Sequence, residues 1–471
     1  MRRYIAPLLL TAVLLYSCSS DPDTGSRGPF DVTVPADLMG LVHAGSKILI
    51  ADDSNVEVQY DLLDDIAVSW TLTDFSWSTI QTESKKDDPP VEWNWASFDN
   101  YVKNGNDRGK KILAILDYDT EWLHGGNSGE KETVIDHMGG NTQVDIRNDG
   151  HLGRCIIGDY EIAKFCAYVT ATVTRYNGKN GYGKVDAWRI WNEPNLFPRF
   201  WAGNMDDFFK LSKAAAQAIR KADPDAVIVV GALNSIADDD WIKELYSSGA
   251  AKQADFVAFH PYSTGSLGTD YVFRNFQDKT SSVFRNKIWV TEVGHPTGGT
   301  YPTKVSEVRM PQTIVKTIVL LSSRGVQKIF WYHLADGYNQ SPTDSEDWFG
   351  LFATESDGSL VPKGYLPNAY KLCAEHIPGK TWRVSGLPGL SLPNNIQTHY
   401  FIGDDGKCLL VVWNDGLTDI SDVNITLPGT GHVLHDPADA SSAPVAASGS
   451  YQLSGRDSVN EKILFFTWDA D

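Results

Sequence analysis

Eight short apolar runs, each separated from the next by room for a helix, do most to limit what this 471-residue chain can fold into. They are Leu38 to Ala44, Ile66 to Leu72, Lys111 to Leu116, Val185 to Ile190, Ala226 to Val230, Phe256 to Phe259, Lys287 to Thr291 and Val326 to Tyr332. Strands alternating with amphipathic stretches build a parallel sheet, and eight such units are the number that closes it into a (β/α)8 TIM barrel. The stretches between carry helix signals. In Asp206 to Ala222, the residues Phe208, Leu211, Ala215, Ala218 and Ile219 recur at helical spacing until Asp223-Pro224 stops them. Tyr160 to Tyr176 and Pro311 to Arg324 read likewise. The Gly-rich stretch Gly125 to Gly153 shows no period and is long for a connection, which predicts a loop over the barrel's active face.

Near Thr381 the rhythm changes to strand pairs broken by turn residues: His399 to Ile402, Cys408 to Trp413, Val423 to Leu427 and Lys462 to Trp468, with Asp404-Asp405-Gly406 and Asn414-Asp415-Gly416 among the breaks. That is the turn chemistry of an antiparallel β-sandwich, with Phe30 to Val34 as the obvious donor of a further strand. The domain plan is therefore a barrel over 30–378 and a C-terminal sandwich over 379–471. Ahead of them, Arg2 and Arg3, the apolar run Leu8 to Leu15 and small residues have the form of a secretory signal over 1–17. The sequence Leu15-Tyr16-Ser17-Cys18 resembles a bacterial lipoprotein processing site, with 18–29 as a polar tether and Cys18 as the lipidated residue. Tyr16 departs from the residue usual there, which leaves ordinary signal cleavage as the alternative. The expected location is outside the cell, anchored by lipid at the outer membrane or surface of a bacterium. The other cysteines, Cys155, Cys166, Cys373 and Cys408, form neither a CxxC nor a disulfide framework; Cys155 and Cys166 fit either a bridge or buried thiols.

A formal net charge of −19 excludes nucleic acid and acidic membrane surfaces as natural partners, because this surface recovers no counterion-release energy from either. The 15 tryptophans suit a carbohydrate partner, since sugar rings present C–H faces that stack on indoles, although core filling must account for most of them. The chemistry sits at two strand ends. Trp188-Arg189-Ile190-Trp191-Asn192-Glu193-Pro194-Asn195 closes the fourth run, and Lys287-Ile288-Trp289-Val290-Thr291-Glu292-Val293-Gly294 closes the seventh. A barrel keeps its reactive groups at the carboxyl ends of its strands, and two acids so placed suggest glycoside cleavage. Trp188, Trp191 and Pro194 around Glu193 would raise its pKa and suit it to the acid role; Glu292, after Thr291, has a setting that leaves it hydrogen-bonded and ionised. His124, His137 and His151 lack ligand spacing, so neither a metal nor a cofactor is expected.

Trp-Asn-Glu-Pro on strand four with an acid ending strand seven resembles clan A of the glycoside hydrolases. Within the clan the chain is most similar to family 39 and its relatives, by the sandwich after the barrel, by Asp74-Phe75-Ser76-Trp77 after strand two, and by Phe330-Trp331-Tyr332 with Asp336. The resemblance implies a retaining enzyme with Glu193 as acid/base and Glu292 as nucleophile. It further implies that Asn192 holds the sugar's 2-hydroxyl, that Tyr262 hydrogen-bonds the nucleophile while His260 lines the subsite, that Trp331 is the stacking platform, and that Asp74 and Trp77 contact substrate. Trp122 and Trp201 are further candidate walls, and Asp117, Asp119 and Glu121 are acids after strand three that could bind hydroxyls. The chain departs from its relatives at Leu72, where they often carry an Arg, so the cation that supports Glu292 is left open. Transglycosylation by the same residues, or a glycan-binding lipoprotein that no longer cuts, are the rival functions. Oligomeric state is not legible.

Overall fold

The computed structural model describes residues 30–42, 53–82, 92–124, 131–135, 141–145, 158–338, 340–456, 458 and 461–470. Eight parallel strands close a barrel. In chain order they are Met39–Val42, Trp70–Asp74, Lys111–Leu116, Ala187–Ile190, Val227–Asn234, Phe256–His260, Ile288–Val293 and Lys328–Trp331, here barrel strands one to eight. Strand eight returns to strand one in the register Ile329↔Met39, Phe330↔Gly40, Trp331↔Leu41. Parallel neighbours need long crossovers, and helices supply them, among them Asp159–Arg175, Met205–Ala222 and Met310–Ser323. All eight apolar runs overlap a barrel strand, four of which run on beyond the expected end, and the three helices fall where their spacing places them.

Side chains alternate between the barrel's two sides with period two. Val42, Trp70, Leu72, Leu113, Ile115, Ala187, Val229, Ala258, Trp289 and Phe330 form one cluster inside the barrel. Their strand neighbours, such as Ile112, Ala114, Trp188, Ile190, Val257, Phe259, Val290 and Trp331, join the larger core between strands and helices. At the barrel's foot Asp37 accepts from Trp70 Nε1 (3.1 Å), Lys111 Nζ (2.7 Å) and Lys328 Nζ (2.9 Å). Burial opposes that carboxylate's charge, yet the two ammonium groups outweigh it and hold its pKa down at about 2.

The C-terminal strands form a seven-stranded antiparallel sheet, ordered Val32–Thr33, Lys380–Trp382, Ile396–Gly403, Lys407–Asn414, Leu464–Asp469, Thr430–Asp436, Ser441–Pro444. The pairs Val32↔Trp382 and Thr33↔Thr381 sew the residues before the barrel into the sheet that follows it. One face, with Trp382, Phe401, Leu409, Val411, Trp413 and Phe465, belongs to the same core as the barrel helices. The other, with Tyr400, Cys408, Leu410, Val412, Phe466 and Trp468, packs on Val423, Ile425 and Leu453 of a two-stranded sheet, Ile420–Thr426 with Ser448–Leu453. Helix Met310–Ser323 lies between barrel and sheet and is buried at every position. Lys316 Nζ on that helix reaches Glu461, and Gln312 Nε2 donates to the Glu461 carbonyl at 3.1 Å.

Gly125 to Gly153 is not simply the loop its lack of period predicts, because Lys131–Ile135 and Asn141–Asp145 pair as an antiparallel hairpin within it. Its Thr and Val alternation is short and mixed with acids, so no period stands out in the sequence. Met1 to Pro29, with the expected signal and Cys18, and also His137, His151 and Cys155, lie outside the described residues. Among the described residues no helix is long and apolar enough to cross a membrane.

Candidate active site

The mouth of the barrel at the strands' carboxyl ends gathers charge that the interior below it lacks. Period-two alternation sends Asp74, Arg189 and His260 inward, each two residues beyond an interior apolar side chain: Leu72, Ala187 and Ala258. Asp117 continues the same alternation past Ile115. Glu292 would face the helices by strict alternation from Trp289, but the strand seven to strand eight register shifts between Val290 and Val293. Such an irregularity re-aims a side chain, and Thr291 and Glu292 both reach the site. Strand five shifts similarly between Val230 and Leu233 and delivers Asn234. After strand four, Trp191 (φ 64°) and Glu193 (φ 40°) take left-handed backbone that non-glycine residues rarely adopt. They are held there by Trp191 Nε1 donating to the Phe200 carbonyl (2.7 Å) and Glu193 N to the Ala232 carbonyl (3.1 Å), and strain so overdetermined is typical of functional positions.

Glu193 and Glu292 are only 5% and 7% exposed. His260 lies between them, its Nδ1 2.7 Å from Glu193 Oε1 and 3.6 Å from Glu292 Oε2. Its other nitrogen, Nε2, meets Arg189 Nη1 at 3.1 Å and Thr291 Oγ1 at 2.8 Å. Burial drives the imidazole's pKa down to about 3, so the ring is neutral. A guanidinium can only donate, hence Nε2 accepts and Nδ1–H donates to Glu193. Asn234 Nδ2 donates to the same Glu193 oxygen at 2.8 Å. Glu292 instead receives Tyr262 Oη at 3.1 Å on Oε2 and Arg189 Nη2 at 3.4 Å on Oε1. Burial pushes both carboxyls above their usual pKa; Glu193 is pulled back first by Asn234, and Glu292 by His260 and Arg189 while Glu193 repels it. Among the described residues Glu193, His260 and Glu292 also form the one cluster close enough to hold a metal ion, their donor atoms all within 4.8 Å of one another.

The other expected site residues divide. Asn192 is here, its Oδ1 accepting from Arg189 Nη2 at 2.6 Å, which leaves its amide nitrogen for a ligand. Asp74 is half-buried at the mouth, level with Arg189 through the registers Asp74↔Ile115 and Ile115↔Arg189. His260 is wholly buried and bridges the acids, so it does not line a subsite wall. Trp331 is no platform: 1% exposed, it takes the outward alternation and packs in the core beneath the helices, 6.3 Å from the His295 ring. Tyr332, one residue on, faces the mouth, edge-on to Tyr262 at 6.2 Å and donating to Glu346 Oε2 at 3.2 Å. Trp77 and Trp201 are fully buried and cannot touch a sugar; Trp77 stacks on Tyr168 at 5.7 Å and donates to Gln81, and Trp201 donates to the Asn204 carbonyl. Trp122 is half-buried and edge-on to Trp77. Asp117 is fully buried against Asp74, its pKa pushed well up by burial and then by the Asp74 charge.

Arg189, Asn234 and Glu346 belong to the site without any motif that announces them, and Tyr332 stands in the sequence only as the neighbour of Trp331. For Arg189 a signal does exist, a lone cation inside an otherwise apolar strand. Asn234 and Glu346 arrive through a strand irregularity and a short turn, Ser345–Trp348, which leave no pattern.

Residues 157–288 match the model of the family described as Glycosyl hydrolases family 39, a span that includes Glu193, His260 and Tyr262 and stops just short of Glu292. A protein named beta-xylosidase from Caldicellulosiruptor saccharolyticus is 43% identical over 96 residues, 20% of this chain and 18% of its own length. The chain thus matches about a fifth of the length of the curated relatives. Over the whole fold it is similar to a family 39 glycoside hydrolase from Bacteroides cellulosilyticus WH2 (TM-score 0.61, 18% identity, 93% of this chain and 81% of that one). A family 39 beta-xylosidase from Caulobacter crescentus superposes equally well (TM-score 0.62, 15% identity, 93% and 98%). At those identities the likeness carries the fold. With the family match over strands four to six and the acids ending strands four and seven, the chain is similar to clan A of the glycoside hydrolases, and within it to family 39.

Proposed function

We propose that the protein hydrolyses glycosidic bonds with net retention, Glu292 acting as nucleophile and Glu193 as acid and then base. The observation that carries this reading is the spacing of the acids, whose nearest oxygens and the His260 nitrogen between them lie within 4.8 Å of one another. Retaining enzymes hold their carboxyls about 5 Å apart, whereas inverting ones leave room for a water at about 6.5–9.5 Å. In the first step a Glu292 oxygen bonds to the anomeric carbon as the bond to the leaving oxygen breaks and the Glu193 proton passes to that oxygen. In the second, water gives a proton to Glu193, and its oxygen displaces Glu292 from the sugar. The roles divide by their donors: Glu292 faces a guanidinium and a phenol, which favour the carboxylate, while Glu193 is held by a neutral imidazole and an amide.

The sequence relatives bear the name beta-xylosidase, so neutral sugars of the xylose type head the substrate panel. On an activated aryl xyloside, Glu193→Ala should keep its first step and, with azide, release a glycosyl azide of retained configuration by NMR. Glu292→Ala should give none of that product. An inverted azide from Glu193→Ala reverses the assignment, and an inverted sugar from the unaltered protein sinks the mechanism.

We propose also that the protein is exported and held at the cell envelope through a lipidated Cys18, on the strength of Arg2, Arg3, the run Leu8 to Leu15 and Leu15-Tyr16-Ser17-Cys18. Cys18→Ala should move active protein to the soluble fraction. Unchanged membrane fractionation, or a mature N-terminus elsewhere, refutes it.

A further inference from the structure

We propose that Arg189 is a positioning residue that decides which of the two acids is charged: from strand four it holds Glu292 as the carboxylate and, through His260, turns the Glu193 proton toward the cleft. This rests on the division of roles above. Leu72 on strand two is part of the apolar interior, so no cation comes from there. The guanidinium one layer higher, on the Ile115–Arg189–Val229 register line, takes the post.

Arg189 is wholly buried, and a desolvated guanidinium, which does not deprotonate in a protein, requires a counter-charge nearby. The groups facing Glu292 are Arg189, His260, Glu193, Tyr262 and, across the mouth, Tyr118 and Tyr332. Arg189 is the cation among them, whereas Glu193 also faces Arg199, which is itself paired with Glu346 at 3.8 Å. Its three contacts form one device: Nη2 reaches Asn192 Oδ1 at 2.6 Å and Glu292 Oε1 at 3.4 Å, and Nη1 reaches His260 Nε2 at 3.1 Å.

The third contact governs the acid. Because Arg189 only donates, His260 Nε2 must accept and Nδ1 must carry the hydrogen, which it gives to Glu193 Oε1 beside the Asn234 amide. With Oε1 accepting twice, the Glu193 proton belongs on Oε2. In the opposite tautomer Nδ1 would be an acceptor, and the proton would turn inward on Oε1, away from any leaving group.

The test pairs a resting-state readout with a kinetic one. Histidine 15N spectra, assigned by difference with His260→Asn, should show His260 as the neutral Nδ1–H tautomer between pH 5 and 8 in the unaltered protein. Arg189→Met should lose that single tautomer and drop kcat/KM on an activated aryl glycoside by about 100-fold or more. Its acid limb should move to higher pH by about one unit, as Glu292 loses its cation. Arg189→Lys should return the limb toward its original position. An Nε2–H tautomer or an imidazolium in the unaltered protein overturns the proposal, as does a folded Arg189→Met with unchanged limb and tautomer. Should Arg189→Met not fold, the unaltered tautomer and the Arg189→Lys limb still decide. A protein inactive on every glycoside, with His260 as expected, would refute the proposed hydrolysis and not this arrangement of protons.

Discussion

Asp117 shows how the site's charges are kept in hand at the scale of one residue. Its carboxyl is fully buried, meets the Asp74 carboxyl, and is pushed up in pKa by burial and then by the Asp74 charge. An acid whose folded pKa is raised keeps a proton that the unfolded chain has given up, so its contribution to stability falls as pH rises above the ordinary carboxylate range. Asp117→Asn, which cannot ionise, should therefore be more stable than the parent at pH 7 by about 1–2 kcal/mol, since each pKa unit of upward shift is worth about 1.4 kcal/mol. The gain should shrink toward pH 4 in urea titrations. A loss of stability at both pH values would mean that Asp117 is ionised against Arg189. The two acids themselves are legible in the sequence, because a Glu that ends an apolar strand at the mouth of a barrel adds nothing to packing. Arg189 is harder to read, since a cation within a strand suits an edge or a solvated face until the barrel closes around it.

At the scale of elements, alternation along a strand decides function. Phe330 points into the barrel, Trp331 out beneath the helices and Tyr332 back toward the mouth. The sequence offers three aromatics in a row and does not state which are inward, and the expectation of Trp331 as platform fails on that parity. Trp331→Ala should cost about 3–5 kcal/mol of stability, as a large buried aromatic does, with little effect on KM in the fraction that folds. Tyr332→Phe should leave the melting temperature nearly unchanged and raise KM, because it takes the donor from Glu346 Oε2 at the mouth and leaves that carboxylate held only through Oε1 by Tyr301 and Arg199. If Trp331→Ala alters KM and Tyr332→Phe does not, the assignment of faces is wrong. The strand irregularities at Val290 to Val293 and Val230 to Leu233 act at this scale too, delivering Glu292 and Asn234 against the strict period. No residue pattern announces them.

For the whole molecule, barrel and sandwich share one core. Helix Met310–Ser323, buried at every position, shares one core with the barrel strands and with Phe401, Leu409, Val411, Trp413 and Phe465 of the sheet, and its Lys316 lies over the Trp413 ring. A chain cut after Pro378 removes all five of those sheet residues and bares the helix. Such a truncation should aggregate on expression, since an exposed apolar face of that extent is not tolerated in a monomer. A soluble truncated barrel that still cleaves short substrates and loses only polysaccharide binding would make the sandwich a binding module instead.

Local and periodic features are written in the chain itself: eight apolar runs with helices between them, a change of rhythm near Thr381, and two acids at the ends of strands four and seven. They follow from residue spacing, which persists whatever the rest of the molecule does. Everything that depends on closure had to wait for the folded barrel. Closure set which side of each strand faces inward, and it brought Arg189 against His260 and Glu292 from 71 and 103 residues away in the chain. It also buried His260 between acids that the sequence keeps 99 residues apart. Desolvation, which gives those groups their pKa shifts and their roles, exists only once the barrel has shut water out.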